Sequence, residues 1–286
     1  MSLRVVATGP LLTVTLNRPE VHNAVDPETH SELLGAWRRL RSDPKLRVGI
    51  LTGSGTKAFC AGIDLTRLED FYAESSPGER RERWRHEPGI GGLTRHFDVG
   101  KPIVAAIHGH CLGLGLELAL ACDLRLASPK ATFGLPEVRW GILPGQGGTQ
   151  RLPRAIPGNL ALEMILTGRP ISARRAAELG LINRVVPQGR LLAEARALAL
   201  LIAQQPPGTV QRAREAVRRG LDLTLSEGLE LEQDLADPLR EQAGRRAARE
   251  GFRRAPVPRG APGGKDQPTG PGPRPRDALN DSPGRT

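Results

Sequence analysis

Two glutamates stand where glutamate is least at home. Glu117 lies inside GLGLELALACD (113–123), an apolar run with a glycine pair at its head, and Glu137 follows Pro136 in the glycine-rich FGLPEVRWGILPGQGGTQRL (133–152). Burying an isolated ionised carboxylate costs on the order of tens of kcal/mol by a Born estimate, so such a group is paired, neutralised or used. Two carboxylates in low-polarity surroundings, each just after a backbone turn, suit acid/base chemistry near neutral pH. Desolvation and mutual repulsion can spread their pKa values apart. The competing reading is structural: each glutamate caps a helix or pairs with an arginine such as Arg125 or Arg139. The residue types alone leave both readings open.

Other chemistries fail on their spacing. GSGTKAFC (53–60) has Thr56 where a phosphate loop needs glycine before its lysine. GLGLEL supplies two of the three glycines of a dinucleotide fingerprint, and no GxSxG follows a suitable strand. His108 and His110 are expected on one face of a strand, with no third ligand nearby, so no metal site is expected. One Tyr and five Phe are too few for RNA modules that work by stacking.

The elements that must position these residues can be read from periodicity. Residues 3–17 read as two short strands around a Gly-Pro turn, and 27–43 as a helix with Leu33, Leu34, Trp37 and Leu40 on one face. VGILTGS (48–54), PIVAAIHG (102–109) and DLRLAS (123–128) read as buried strands, with the GLGLELALA helix between the last two. Strands alternating with helices indicate an α/β domain whose functional loops sit at strand ends. Residues 66–100 form a polar connection long enough to be a helical lid or binding segment. From about 159 the chain turns helical, with Gly168 and Gly180 as C-caps. The apolar stripes at 191–235 suit packing on a partner subunit or on the core. Beyond Ala255 a Pro/Gly-rich composition predicts disorder.

The bulk properties narrow the class. No apolar run approaches the ~20 residues of a membrane span, and the N-terminus lacks a signal-peptide pattern. With three cysteines (Cys60, Cys111, Cys122) and no CxxC spacing, the sequence reads as a cytoplasmic protein with reduced thiols. The net charge is +10, with 36 of the 41 basic residues arginine and interspersed with acids. Solvated helix faces account for that pattern; a phosphate-bearing ligand or nucleic acid are the sharper alternatives.

KAFCAGIDL (57–65), KPIVAAIHGHCLGLGLELALACDLRLAS (101–128) and FGLPEVRWGILPGQGGTQRLPR (133–154) closely resemble the enoyl-CoA hydratase/isomerase, or crotonase, family. LNRPEVHNAV (16–25) and LTGRPISARRAAELGLINRVVP also match, and the resemblance spans roughly 3–255. It implies a spiral of repeated ββα units over 1–190, carrying the active site. A C-terminal helical trimerisation region over 191–255 and a disordered tail over 256–286 would follow. The implied substrate is an acyl-CoA thioester, whose enolate is held by the backbone N–H groups of Ile63 and Leu114. Glu117 and Glu137 match the two positions that distinguish hydratases: Glu117 would activate water and Glu137 would exchange the Cα proton. The substrate- and CoA-binding positions carried over are His22, Ala24, Ala61, Ile63, Asp64, Leu65, Thr66, Gly113, Leu114 and Pro136.

The resemblance further implies reversible hydration of a 2-enoyl-CoA in fatty acid metabolism, with no metal or redox cofactor, by a homotrimer or dimer of trimers. Leu114 replaces a glycine that many members carry, Ile63 is bulkier than the frequent alanine, and His22 and Thr66 replace basic residues near the CoA phosphates. An isomerase or another acyl-CoA lyase is the alternative, although an isomerase needs only one proton shuttle, at the Glu137 position. An RNA-binding or catalytically silent homologue is less favoured, because the basic residues form no one-sided stripe. Neither nucleic acid binding nor membrane insertion is expected.

Overall fold

The computed structural model describes residues 1–71 and 76–241. β1 (Leu3–Thr8) and β2 (Leu11–Leu16) form the expected hairpin, which turns through Gly9 at φ +55°. α1 (Pro27–Ser42) starts at Asp26, whose carboxylate accepts from the Thr29 N–H, and stops at Asp43. The chain then repeats one order three times. β3 (Val48–Gly53), β4 (Ala58–Cys60) and α2 (Pro77–His86) form the first unit. β5 (Ile103–Ile107), β6 (His110–Leu112) and α3 (Leu114–Ala121) form the second. β7 (Leu124–Ala127), β8 (Thr132–Gly134) and α4 (Gly148–Ala155) form the third. After α5 (Gly158–Thr167) come β9 (Ile171–Ser172), α6 (Ala173–Glu178) and β10 (Arg184–Val185). Three helices follow: α7 (Leu191–Ala203), α8 (Pro207–Gly220) and α9 (Leu225–Glu241).

Each repeat gives its first strand to one sheet and its second to another. The large sheet has the order β1-β2-β3-β5-β7-β10, parallel from β2 onward, and the small sheet the order β4-β6-β8-β9. This is the spiral of ββα units expected from the resemblance. The large sheet is apolar on both faces, as a sheet covered on both sides must be. Leu12, Val14, Leu16, Leu51, Ile103, Ala105 and Ile107 face α1, α3 and the small sheet, while Leu11, Val48, Ile50, Val104 and Ala106 face the other way. The two sets alternate along each strand, as the period of two requires. Leu191, Ala195, Ala199 and Ala203 repeat every four residues along α7 and cover the second face. The first of the three C-terminal helices is therefore committed to the sheet, and α8 packs with α9.

One sheet had no local signal, and one expectation changes. The small sheet was not visible in the sequence, because β4, β6 and β8 are three residues each, too short to show a period. His108 and His110 do not share a strand face: His108 lies buried just past β5, and exposed His110 opens β6 with its Nδ1 3.0 Å from Thr132 Oγ1. Gly109 turns between them at φ +57°, where a Cβ would overlap the Lys57 carbonyl. Cys60, Cys111 and Cys122 are free and buried. The tail expected over 256–286 lies outside the described residues.

Candidate active site

The first half of the site is a pair of loops clamped by one arginine. Arg18 reaches Asp26 at 3.1 Å and Asp64 at 3.0 Å, and also donates to the Ala24 carbonyl. This holds 22–26 beside 61–66. The Ala61 N–H donates to His22 O, the Val25 N–H to Gly62 O, and the Asp64 N–H to Val25 O. Gly62 O and Asp64 N both face Val25, so in this extended segment the Ile63 N–H points to the opposite side. It meets no acceptor among the described residues.

The second half is the entry to α3. Gly113 adopts φ +53°, ψ −127°, a conformation for glycine, and its N–H donates to Gly134 O. Leu114 then opens the helix. The first N–H groups of a helix have no intrahelical partner, and the helix dipole favours negative charge there. No side chain caps this terminus. A Cβ on Gly62 would lie 3.7 Å from Leu114 N, so the two loops adjoin at Gly62 and bring the Ile63 and Leu114 segments side by side.

One carboxylate touches this place, and the other is close enough for its charge to be felt there. Glu117, one turn along α3 and 2% exposed, accepts through Oε1 from the Gln146 N–H at 2.7 Å and the Gly148 N–H at 2.9 Å. Burial raises its pKa; the Gly148 and Gln146 amides and the nearby Arg151 and Arg95 oppose the rise. Glu137 stands in a 3-10 helix, Pro136–Trp140, with its Oε1 against Gly113. Its Oε2 is buried and has no hydrogen-bond partner among the described residues. Burial pushes the Glu137 pKa up to about 7, with the charge of Glu117 adding to the rise. Neither arginine singled out from the sequence pairs with a glutamate: Arg125 donates to the carbonyls of Leu181, Ala119 and Cys122, and Arg139 lies against Gly168. The capping alternative holds for Glu117, which accepts from the Gly148 N–H that opens α4.

A family model described as enoyl-CoA hydratase/isomerase matches residues 7–255. The chain belongs to that family. It is 43% identical over 250 residues to (E)-benzylidenesuccinyl-CoA hydratase of Thauera aromatica, covering 87% of this chain and 95% of that protein. To carnitinyl-CoA dehydratase of Proteus mirabilis (strain HI4320) it is 40% identical over 230 residues, covering 80% and 85%. The crystal structure of an enoyl-CoA hydratase from Bacillus anthracis superposes with a TM-score of 0.79 at 36% identity, covering 88% of this chain and 96% of that one.

The remaining family-matched positions divide by role. His22, Leu65 and Thr66 are exposed, while Ala24 and Asp64 are buried. Asp64 is a brace: its pKa is lowered by the Thr66 hydroxyl and by Arg18. Sequence reasoning missed the donors to Glu117 and what steadies them. Gln146 is 4% exposed, and its side-chain oxygen accepts from Ile90 N–H and Thr94 Oγ1. Arg95 donates to Gly145 O at 2.5 Å. The PGQGG run was the available signal, because amides that hold a carboxylate need close backbone approach; a Cβ on Gly148 would lie 3.0 Å from Glu117 Oε1. A cavity of about 1030 Å³ lies across this loop, walled by Gly145 and Gly147 and not by Ile63, Leu114 or Glu137. Among the described residues no three His, Cys, Asp or Glu side chains gather as a metal site, and no helix is long and apolar enough to cross a membrane.

Proposed function

We propose that this chain is a hydro-lyase that adds water reversibly across the double bond of a 2-enoyl-CoA to give a 3-hydroxyacyl-CoA. One observation supports the reading: the segments carrying the unbonded Ile63 and Leu114 amides adjoin at Gly62, the Glu137 carboxylate lies against Gly113, and the charge of buried Glu117 is felt at Glu137. The Ile63 and Leu114 amides hold the thioester oxygen at about 3 Å and stabilise the enolate, each worth roughly 3 kcal/mol in the transition state. The carboxylate pair holds the water. Glu117 takes its proton as the oxygen attacks Cβ, and Glu137, protonated near neutral pH, delivers a proton to Cα. Each positioned acid or base contributes on the order of 10²–10⁴ in rate. Neither a metal nor a redox cofactor enters this scheme.

The hydratase and dehydratase relatives support water addition over double-bond migration, for which a single shuttle suffices. A panel of 2-enoyl-CoAs, followed by loss of the conjugated thioester absorbance, tests the reading with Glu117→Gln and Glu137→Gln as controls. Hydration lost at least 10²-fold in both variants supports it. Double-bond migration that survives Glu117→Gln, with hydration absent in every protein, would replace it with an isomerase.

We also propose a homotrimer, alone or paired, in the cytoplasm. The exposed Leu201, Val217, Leu221, Leu225 and Leu229 of the C-terminal helices and their loops support an assembly surface there. Light scattering at micromolar concentration checks it; a clean monomer excludes it.

A further inference from the structure

Glu117 is held through one oxygen. The Gln146 N–H at 2.7 Å and the Gly148 N–H at 2.9 Å both bond Oε1, and Oε2 has no hydrogen-bond partner among the described residues. Oε1 is thus anchored, and Oε2 is the oxygen left to meet water. The first of these amides belongs to a residue whose side chain is gripped in turn. Gln146 Oε1 accepts from the Ile90 N–H and from Thr94 Oγ1, each at 3.0 Å. Ile90 N can only donate, which fixes the amide oxygen of Gln146 toward the 90–94 turn. Gln146, Ile90 and Thr94 are all buried, so these bonds form in low-dielectric surroundings with little competition from water.

The turn that grips Gln146 is itself braced. Trp37 Nε1 on α1 donates to Gly91 O at 2.9 Å, and the Gly91 N–H donates to His30 Nδ1 at 3.0 Å. It also rests on α3: a Cβ on Gly91, at φ +82°, would lie 2.6 Å from Cδ2 of Leu118, the residue after Glu117. One turn therefore touches both the helix that carries Glu117 and the loop that bonds it. We propose that Gln146 is a positioning residue: its clipped side chain holds its own main-chain amide on Glu117 and so sets both the aim and the basicity of that carboxylate. The inference rests on the hydratase reading above, in which Glu117 takes the proton from water. A hydrogen bond to the ionised form favours that form, so a slackened amide raises the pH at which Glu117 loses its proton. Burial already pushes that pKa up, and the Gly148 and Gln146 amides oppose the rise. Arg151 and Arg95 also favour the ionised form, and the charge of Glu137 opposes it.

The test is the pH profile of hydration in the wild type, Gln146→Ala, Thr94→Val and Thr94→Ser. Gln146→Ala removes the clip and keeps the main-chain amide; Thr94→Val removes one donor to the clip and keeps the side-chain volume. In Gln146→Ala the acid limb of kcat/KM is expected to move up by at least 0.5 pH unit, and kcat at the optimum to fall at least fivefold with KM within twofold. Thr94→Val should move the limb in the same direction by less, and Thr94→Ser, which keeps the hydroxyl, should leave it in place. A residue that served stability alone would lower Tm without moving the limb. An acid limb at its wild-type pH in Gln146→Ala overturns the inference and leaves the hydratase reading standing. If that variant does not fold, Thr94→Val decides by the same limb; if neither folds, Gln146 is a stability residue and the inference falls. Equal shifts in Thr94→Val and Thr94→Ser assign the effect to packing and overturn it too. A wild-type protein that hydrates no 2-enoyl-CoA overturns both readings.

Discussion

Glu137 rests against Gly113: a Cβ on that glycine would stand 3.2 Å from Glu137 Oε1 and 3.7 Å from the Gly62 Cα. The contact ties the second carboxylate to the turn that presents the Leu114 amide. Gly113→Ala is therefore expected to displace the acid and strain a backbone at φ +53°, at a cost of about 1–3 kcal/mol. Stability by chemical denaturation and hydration rate should fall together. A fully active, undestabilised Gly113→Ala would show that the turn is not under this constraint.

The raised pKa of Glu137 sets a pH dependence with a direction. As the acid in hydration it must be protonated, so kcat/KM should fall as pH rises through about 7. Dehydration starts from the same pair with its one proton on Glu117, and because water addition consumes no net proton its kcat/KM must follow the same pH curve. Measuring both directions across pH 5–9 checks this, and Glu137→Gln should abolish the limb. A hydration rate that stays flat or rises through pH 7 would contradict the assignment.

The same shift bears on stability. A carboxyl whose folded pKa lies above its unfolded value of 4.5 binds more protons when folded, so its stabilising contribution is present below pH 4.5 and lost as pH rises through about 7. Glu137→Gln removes a charge whose Oε2 has no described partner. At pH 8 it should gain on the order of 1 kcal/mol after allowance for solvent screening, a few degrees in Tm. The gain should shrink toward pH 5. Calorimetry at both pH values reads this directly, and a destabilised Glu137→Gln at pH 8 would contradict it.

Gly115 reports on how α3 is seated. A Cβ there would overlap the Cys60 carbonyl, so the helix packs directly on β4. Overpacking against a main-chain atom leaves no flexible group to yield, and Gly115→Ala should cost about 3 kcal/mol. Because β4 leads into the Ile63 loop, activity should fall even where the variant folds. Unchanged denaturation midpoint and rate would mean that the helix shifts freely.

Much of this arrangement was legible because burial leaves a pattern. The large-sheet strands showed as apolar runs, α1 as a 3.6-residue repeat, and Glu117 as a charge inside an apolar helix. The three-residue strands were not legible, since their pairing is set by distant chain rather than by local period. Gln146 was hidden for another reason. Its backbone serves Glu117 while its side chain clips Ile90 and Thr94, and a 52-residue separation from Thr94 leaves no local trace. The arginines were visible as composition only.

The most direct measurement is a crystal structure with a saturated acyl-CoA bound. The thioester oxygen is expected about 3 Å from both Ile63 N and Leu114 N, with Glu117 and Glu137 flanking the acyl Cα and Cβ. A thioester bound away from those two amides, or with either carboxylate turned aside, would contradict it.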